Sequence, residues 1–253
     1  LPLNMKVKAI LLAGGHGSRL YPFTKYTQKT LLPLHNRPVI DYALGTIRRA
    51  GITDITIVSN QFIGQITKHV GAGLPNERIH YVLEEEPTGV ADALNLARAY
   101  NEDCRLLIYF SDNITTVELT EEVGTFSNAE HPPGCILLAR QEANPQAFGV
   151  AVLGQNGEVV DIVEKPENPP SDLAIGGIYM FDEAFWSFLD LGVEEKGENF
   201  SITDVNRRYI QQGMAKLITV GEDTWVDCGT PDSLLHASNM AKDGKLNPNP
   251  FRT

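Results

Sequence analysis

Four short apolar runs in the first 110 residues constrain the fold most: "VKAILLA" (7–13), "ITIVSN" (55–60), "IHYVL" (79–83) and "RLLIYF" (105–110). They are continuous rather than alternating. A strand with one wet face alternates apolar and polar residues, whereas a continuous run is buried on both faces, as in a parallel sheet covered by helices. Helical patterns lie between them: "PVIDYALGTIRRAG" (38–51), "IGQITKHVG" (63–71) and "GVADALNLARAY" (89–100). The first opens with Pro38 at the N1 position and closes on Gly51, the usual asymmetry of helix ends. This succession predicts right-handed βαβ units in a doubly wound, mostly parallel α/β sheet.

The second half reads as richer in strand, with "CILLAR" (135–140), "FGVAVL" (148–153), "GEVVDIVEKP" (157–166) and "LAIGGIYMF" (173–181) in close order. These predict antiparallel strands added over a ligand cleft, making the sheet mixed. "SITDVNRRYIQQG" (201–213) predicts a helix that stops at Gly213. "TPDSLLHASNMAKDG" (230–244) predicts another, with Thr230 as cap and Pro231 at N1. No repeat or linker interrupts the chain. One domain over 1–253 is expected, with a first part at about 6–115 and a second at about 130–240.

The chain carries 32 acids against 21 bases, a formal charge of −11. That balance argues against a nucleic-acid surface or docking on anionic lipid, both of which need a basic face. Cys104, Cys135 and Cys228 are odd in number and lack metal-site spacing, so reduced thiols in a cytoplasmic protein are expected. "LPLNMKVKAILLAGG" breaks at glycine after a strand-length run, which predicts no signal segment. Nothing approaches the roughly 20 apolar residues of a membrane span.

Against that acidic background, "AGGHGSRLYPFTKYTQK" (13–29) gathers three glycines and then Arg19, Lys25 and Lys29 with no acid between them. A buried strand running into a glycine turn lets backbone N–H groups approach a phosphate. Neither the P-loop spacing nor GxGxxG is present. Lys25 reads as a solvated charge. Arg19 and Lys29 read as cations that neutralise a triphosphate while pyrophosphate leaves.

"LLAGGHGSRLYPFTKYTQKTLLPL" resembles the signature of the sugar-nucleotide pyrophosphorylases, that is, sugar-1-phosphate nucleotidyltransferases, in the short-form glucose-1-phosphate thymidylyltransferase branch. The similarity continues through "FSDNI" (110–114), "FGVAVL", "EKPENPPSDLAIGGIYMFD" (164–182), "ITDVNRRYIQQG" and "WVDCGTPDSLLHAS" (225–238), covering Lys6 to Met240. The resemblance implies a Rossmann-like nucleotidyltransferase core that joins a nucleoside triphosphate to a sugar 1-phosphate. It ranks dTTP ahead of UTP and puts glucose 1-phosphate first among sugars. It further implies a homo-oligomer, dimer or tetramer.

By that resemblance Arg19 and Lys29 carry catalysis. Leu12, Ala13, Gly14, Gly15, Gly17, Ser18, Arg19, Glu84, Pro87, Gly89 and Asp112 bind the nucleotide. Gly149, Glu164, Lys165 and Ile175 form the sugar-phosphate pocket, with Asn113 and Trp225 beside it, and Asp112 with Asp227 hold Mg²⁺. Carboxylate oxygen suits that hard ion. For each aspartate the plain alternative is a helix or turn cap. For Trp225 it is a place in the core.

Three positions depart from the pattern. Glu84 stands where the thymidylyltransferases have Gln, and an ionised carboxylate cannot donate to the O4 of thymine or uracil. It favours CTP or GTP, unless Glu84 points to solvent and the Gly89 backbone reads the base. Ser111 replaces a glycine, and Cys228 replaces a threonine and reads as a small buried residue. His16 carries no assignment. Two other readings stay open: a sugar-nucleotide-dependent glycosyltransferase, which lacks a D-x-D pair here and leaves Arg19 and Lys29 without a task, and a non-catalytic sugar-nucleotide-binding subunit.

Overall fold

In the computed structural model the chain is described over residues 5–129, 132–221 and 225–246. The N-terminal segment inspected for a signal sequence begins with residues 1–4, outside that range. The first half runs β1 (Val7–Ala13), β2 (Pro33–Leu34), β3 (Arg37–Pro38), α1 (Val39–Arg49), β4 (Asp54–Ser59), α2 (Ile63–Val70), β5 (Arg78–Leu83), α3 (Val90–Arg98), β6 (Arg105–Phe110), β7 (Asn113–Thr115) and α4 (Thr120–Asn128). The second runs β8 (Cys135–Gln141), β9 (Gly149–Leu153), β10 (Val159–Glu164), β11 (Leu173–Phe181), α5 (Phe185–Lys196), α6 (Ile202–Gln211), β12 (Ala215–Val220), β13 (Trp225–Asp227) and α7 (Pro231–Lys242).

Nine of these strands join in one mixed sheet, while β2 with β3 and β7 with β13 form two separate two-stranded ribbons. β1 pairs in parallel with β4 on one side and β6 on the other, and β4 pairs in parallel with β5. β11 runs antiparallel to β6, β8 and β9. The antiparallel strands of the second half therefore extend the sheet rather than lie over the cleft. The reason is the length of β11: its last residues, Ile178–Phe181, meet β6, and its first half meets β9 on the same side.

Successive side chains of β1 enter opposite cores, as the pleat requires. Ile10 and Leu12 face a cluster built with α3, α5 and α6, whereas Ala9 and Leu11 face one built with α1, α2 and α4. Burial on both faces is what the continuous runs predict, and it holds for β1, β4 and β6. β5 departs from it, being half-buried with Leu83 exposed, because it is the edge strand and pairs with β4 alone. A third cluster seats α7 on β13, β7 and α1 through Ala237, Met240, Val226, Ile114 and Tyr42. The α7 cap is as expected, with Thr230 accepting from Ser233 N–H and Pro231 at N1. Pro38, by contrast, is the cap of α1 rather than its first residue, because it ends β3. No helix among the described residues is long and apolar enough to cross a membrane.

Candidate active site

Chain order reverses at β1: β4 and β5 lie to one side of it and β6 to the other. In an open α/β sheet the crevice beyond the strand carboxyl ends at such a reversal is the ligand site. The glycine turn leaves β1 there, and Asp112 follows β6 there. A two-stranded ribbon brings the second carboxylate in, since β13 pairs antiparallel with β7 and sets Asp227 opposite Asn113.

Lys29 comes back to the same point from a short turn of helix at Lys29–Leu31, and its Nζ donates to Asp112 Oδ2. Burial pushes the Asp227 carboxyl up, the neighbouring Asp112 adds to that, and the Gly229 N–H, Lys29 and Arg19 oppose it. Asp112 and Asp227 lie near enough to act on one another, and two neighbouring carboxylates offer oxygen ligands to a cation. Among the described residues no three His, Cys, Asp or Glu side chains gather into a metal cluster. Carboxylate oxygens from Asp112 and Asp227 suit a hard divalent ion such as Mg²⁺, which takes its remaining ligands from phosphate oxygens and water.

Two cavities open on this cluster. One, of about 300 Å³, is lined by Leu12, Gly14, Gly15, Pro87, Gly89 and Glu84, with Lys29 and Asp112 at its end. Glu84 is only 4% exposed, so it does not point to solvent. Its backbone N–H bonds to Ser59 O, but its carboxylate has no hydrogen-bond partner among the described residues. A Cβ on Gly14 would sit 2.2 Å from Glu84 Oε2, so glycine is what lets the carboxylate in. Burial raises the Glu84 carboxyl, Asp92 raises it further, and His16 pulls it back. His16, left without a role by sequence, lines this cavity.

The second cavity, of about 340 Å³, is lined by Asn113, Gly149, Glu164, Lys165 and Ile175, and shares Asp112 with the first. Thr203, buried at the start of α6, donates through Oγ1 to Glu164 Oε2 at 2.9 Å. Sequence gave no assignment to Thr203, although it stands inside the quoted "ITDV" motif. Lys165 holds a left-handed backbone (φ 44°), which turns the chain sharply at the end of β10.

Other expected residues stand elsewhere. Gly17 is left-handed (φ 61°) and caps a short turn that starts at Ser18, with its O accepting from Thr24 Oγ1. Ala13 is buried in β1. Arg19 does not line the nucleotide cavity. Its guanidinium lies against Gly229 and opens, with Asp227, on a third cavity of about 570 Å³ beside the N-terminus of α7. Trp225 does not line the sugar cavity either. Its ring fills the space behind Gly176, where a Cβ would meet it at 2.1 Å, and its other side faces the third cavity. Cys228 is buried, and burial raises its thiol, as befits an inert residue. Ser111 is buried with its Oγ unpaired.

The chain matches the nucleotidyl transferase family over residues 8–244. It is 34% identical to the low-salt glycan biosynthesis nucleotidyltransferase Agl11 of Haloferax volcanii, covering 94% of this chain and 67% of that protein. It is 34% identical to a glucose-1-phosphate thymidylyltransferase of Streptomyces antibioticus, covering 92% and 65%. Against the enzyme of that name from Neisseria meningitidis it is 32% identical, covering 93% and 83%. The chain thus spans about two thirds of the first two. A solved Bacillus anthracis structure carrying the name glucose-1-phosphate thymidylyltransferase, in complex with sucrose, superposes with a TM-score of 0.85 at 32% identity, over 94% and 96% of the two chains. A UDP-glucose pyrophosphorylase shares the fold, with a TM-score of 0.81 at 22% identity. With a reversed parallel sheet, paired carboxylates and a lysine at its carboxyl edge, and this breadth of similarity, the chain belongs to the nucleotidyl transferase family, as a sugar-1-phosphate nucleotidyltransferase.

Proposed function

We propose that this enzyme transfers a thymidylyl group from dTTP, or a uridylyl group from UTP, to glucose 1-phosphate. The observation that carries the reading is the Lys29–Asp112 pair at the point where the two cavities meet. A nucleotide in the first cavity and a sugar phosphate in the second present their phosphates to each other there. An oxygen of the sugar phosphate attacks the α-phosphorus in line, a new P–O bond forms, and the bond to the β-phosphate oxygen breaks. Pyrophosphate leaves with the electron pair. No protein nucleophile is needed, only positioning and charge neutralisation.

Lys29 lies where it can neutralise the α-phosphate and the attacking phosphate together. Asp112 and Asp227 would hold Mg²⁺, which when bound supplies charge neutralisation of the phosphates. Arg19 reaches the same cluster from the α7 side and suits the departing pyrophosphate. Glu164, oriented by Thr203, accepts from sugar hydroxyls, and Lys165 faces the sugar phosphate. The names of the Streptomyces and Neisseria relatives support the choice of thymidylyl and glucose.

Glu84 favours a second reading on the base. A buried carboxylate with no hydrogen-bond partner among the described residues accepts from a base edge that carries N–H groups, such as cytosine N4 or guanine N1 and N2. Pyrophosphate release with Mg²⁺ and glucose 1-phosphate, run across dTTP, UTP, CTP, GTP and ATP, tests both. Release with dTTP or UTP upholds the first reading, and release confined to CTP or GTP upholds the second. Release with none of the five, repeated with other sugar phosphates, removes the transfer reading.

A further inference from the structure

Asn113 follows Asp112 and is 5% exposed. Its carboxamide oxygen receives two donors, the indole Nε1–H of Trp225 at 2.8 Å and the backbone N–H of Gly177 at 3.1 Å. Gly177 is free to donate there because β11 slips register against β8 between Ile175 and Tyr179. With both N–H groups on the oxygen, the orientation of the amide is fixed by chemistry. The NH₂ must face the other way, and it donates to Asp112 Oδ1 at 3.0 Å. The other Asp112 oxygen takes Lys29. A Cβ on Gly177 would lie 2.7 Å from Asn113 Nδ2, so the glycine also makes room for the amide.

We propose that Asn113 is a positioning residue for nucleotidyl transfer: it fixes the Asp112 carboxylate toward Lys29 and the divalent cation, and ties that orientation to Gly177, which lines the sugar cavity, and to the buried Trp225 behind it. This rests on the transfer reading above. It also alters the part expected of Asn113 from sequence. Its Oδ1 is fully used, so it has no acceptor to offer a sugar hydroxyl. A carboxylate that binds a metal and a phosphate-facing lysine has several rotamers of similar energy. One hydrogen bond from a rigid amide selects among them, and outer partners of this kind are commonly worth 10–100-fold in metal affinity or activity.

The test compares wild type, Asn113→Ala and Trp225→Phe, the last removing the indole N–H together with its five-membered ring while keeping an aromatic side chain. Each is assayed for kcat, for KM of the sugar 1-phosphate, and for Mn²⁺ binding by loss of the free-ion EPR signal, with and without nucleotide. Folding is followed by circular dichroism. Asn113→Ala is expected to weaken Mn²⁺ binding about 10-fold and to lower kcat 10–100-fold, with KM changed less than about 3-fold. Trp225→Phe is expected to move kcat and Mn²⁺ binding in the same direction by a smaller factor, because Gly177 still holds the amide. A raised KM with unchanged kcat and Mn²⁺ binding would make Asn113 a sugar ligand and overturn the proposal. A folded Asn113→Ala with wild-type kcat and Mn²⁺ affinity would overturn it too, while leaving the transfer reading intact. A wild type that neither transfers nucleotide nor binds Mn²⁺ removes both.

Discussion

At the scale of single residues, two side chains carry most of the chemistry and each has a separable signature. Lys29 is the cation at the meeting point of the cavities, so Lys29→Ala is expected to lower kcat by about 10²–10³, the usual loss when one charge-stabilising donor is removed. Its ion pair with Asp112 is only partly buried, so the thermal midpoint is expected to move by a few degrees at most. Steady-state kinetics beside a melting curve read the two effects apart, and near-normal turnover would remove Lys29 from the mechanism. Glu84 lines the nucleotide cavity and is the residue that the second reading assigns to the base. Glu84→Gln supplies an amide N–H for a keto oxygen and is expected to shift the ratio of kcat/KM for dTTP against GTP or CTP by about 10–100-fold toward dTTP. The sign with pH follows from the raised carboxyl. The folded state holds this proton more tightly than the unfolded state, so Glu84 costs no stability at low pH and destabilises as pH rises through the raised value. The Gln variant is therefore expected to gain stability over wild type only above that window. In wild type the dTTP preference is expected to rise as pH falls, because the protonated acid donates as Gln does. Equal base preference at pH 5 and pH 8 would show that Glu84 does not touch the base.

At the scale of elements, glycines decide how closely the ribbon and the bulge in β11 pack. The Trp225 ring is buried between Gly176 and Asn113, and its N–H bond prevents it from swinging aside. Gly176→Ala, with its new Cβ about 2.1 Å from that ring, is expected to cost about 1–3 kcal/mol and to lower the melting midpoint by several degrees. An unchanged midpoint would mean that the ring yields. The same elements show what was legible in the chain. The four continuous runs and the helices between them could be read because each is several residues long and buries a regular face. The capping of α7 could be read because Thr and Pro act locally. β7 and β13 could not, since three residues have no period and they exist only by pairing with each other across the chain. α4 was hidden by Gly124 and by Thr, Ser and Asn, poor helix formers that tertiary packing of Val123 and Phe126 overrides. α5 carries an interior Gly192, which only the structure explains: Phe200 packs where its Cβ would be. The site was legible as a set of motifs, but not as geometry. Nothing in the linear chain says that Arg19 turns toward Gly229, or that both lone pairs of the Asn113 amide oxygen are used.

At the scale of the whole molecule, the N-terminal and C-terminal halves share one sheet and one pair of cores. β11 joins them, pairing with β6 from the N-terminal half and with β8 and β9 from the C-terminal half. The core on one face mixes Ile10 and Ile108 with Phe181 and Tyr209, and the other mixes Leu11 and Leu107 with Ile136 and Met180. Neither half can unfold without exposing the apolar surface of the other, and exposed apolar surface costs about 25 cal/mol per Å². The two tryptophans report on opposite faces: Trp186 sits in the first core and bonds Asn101 O, while Trp225 sits in the second. Thermal unfolding followed by the fluorescence of Trp186 alone, in Trp225→Phe, and of Trp225 alone, in Trp186→Phe, is expected in each case to coincide with the loss of far-ultraviolet ellipticity in the same variant. Coincident curves are the mark of one cooperative unit. A midpoint for either tryptophan separated from that of the backbone signal would show that the two halves of the chain melt independently, and that the shared strand does not couple them.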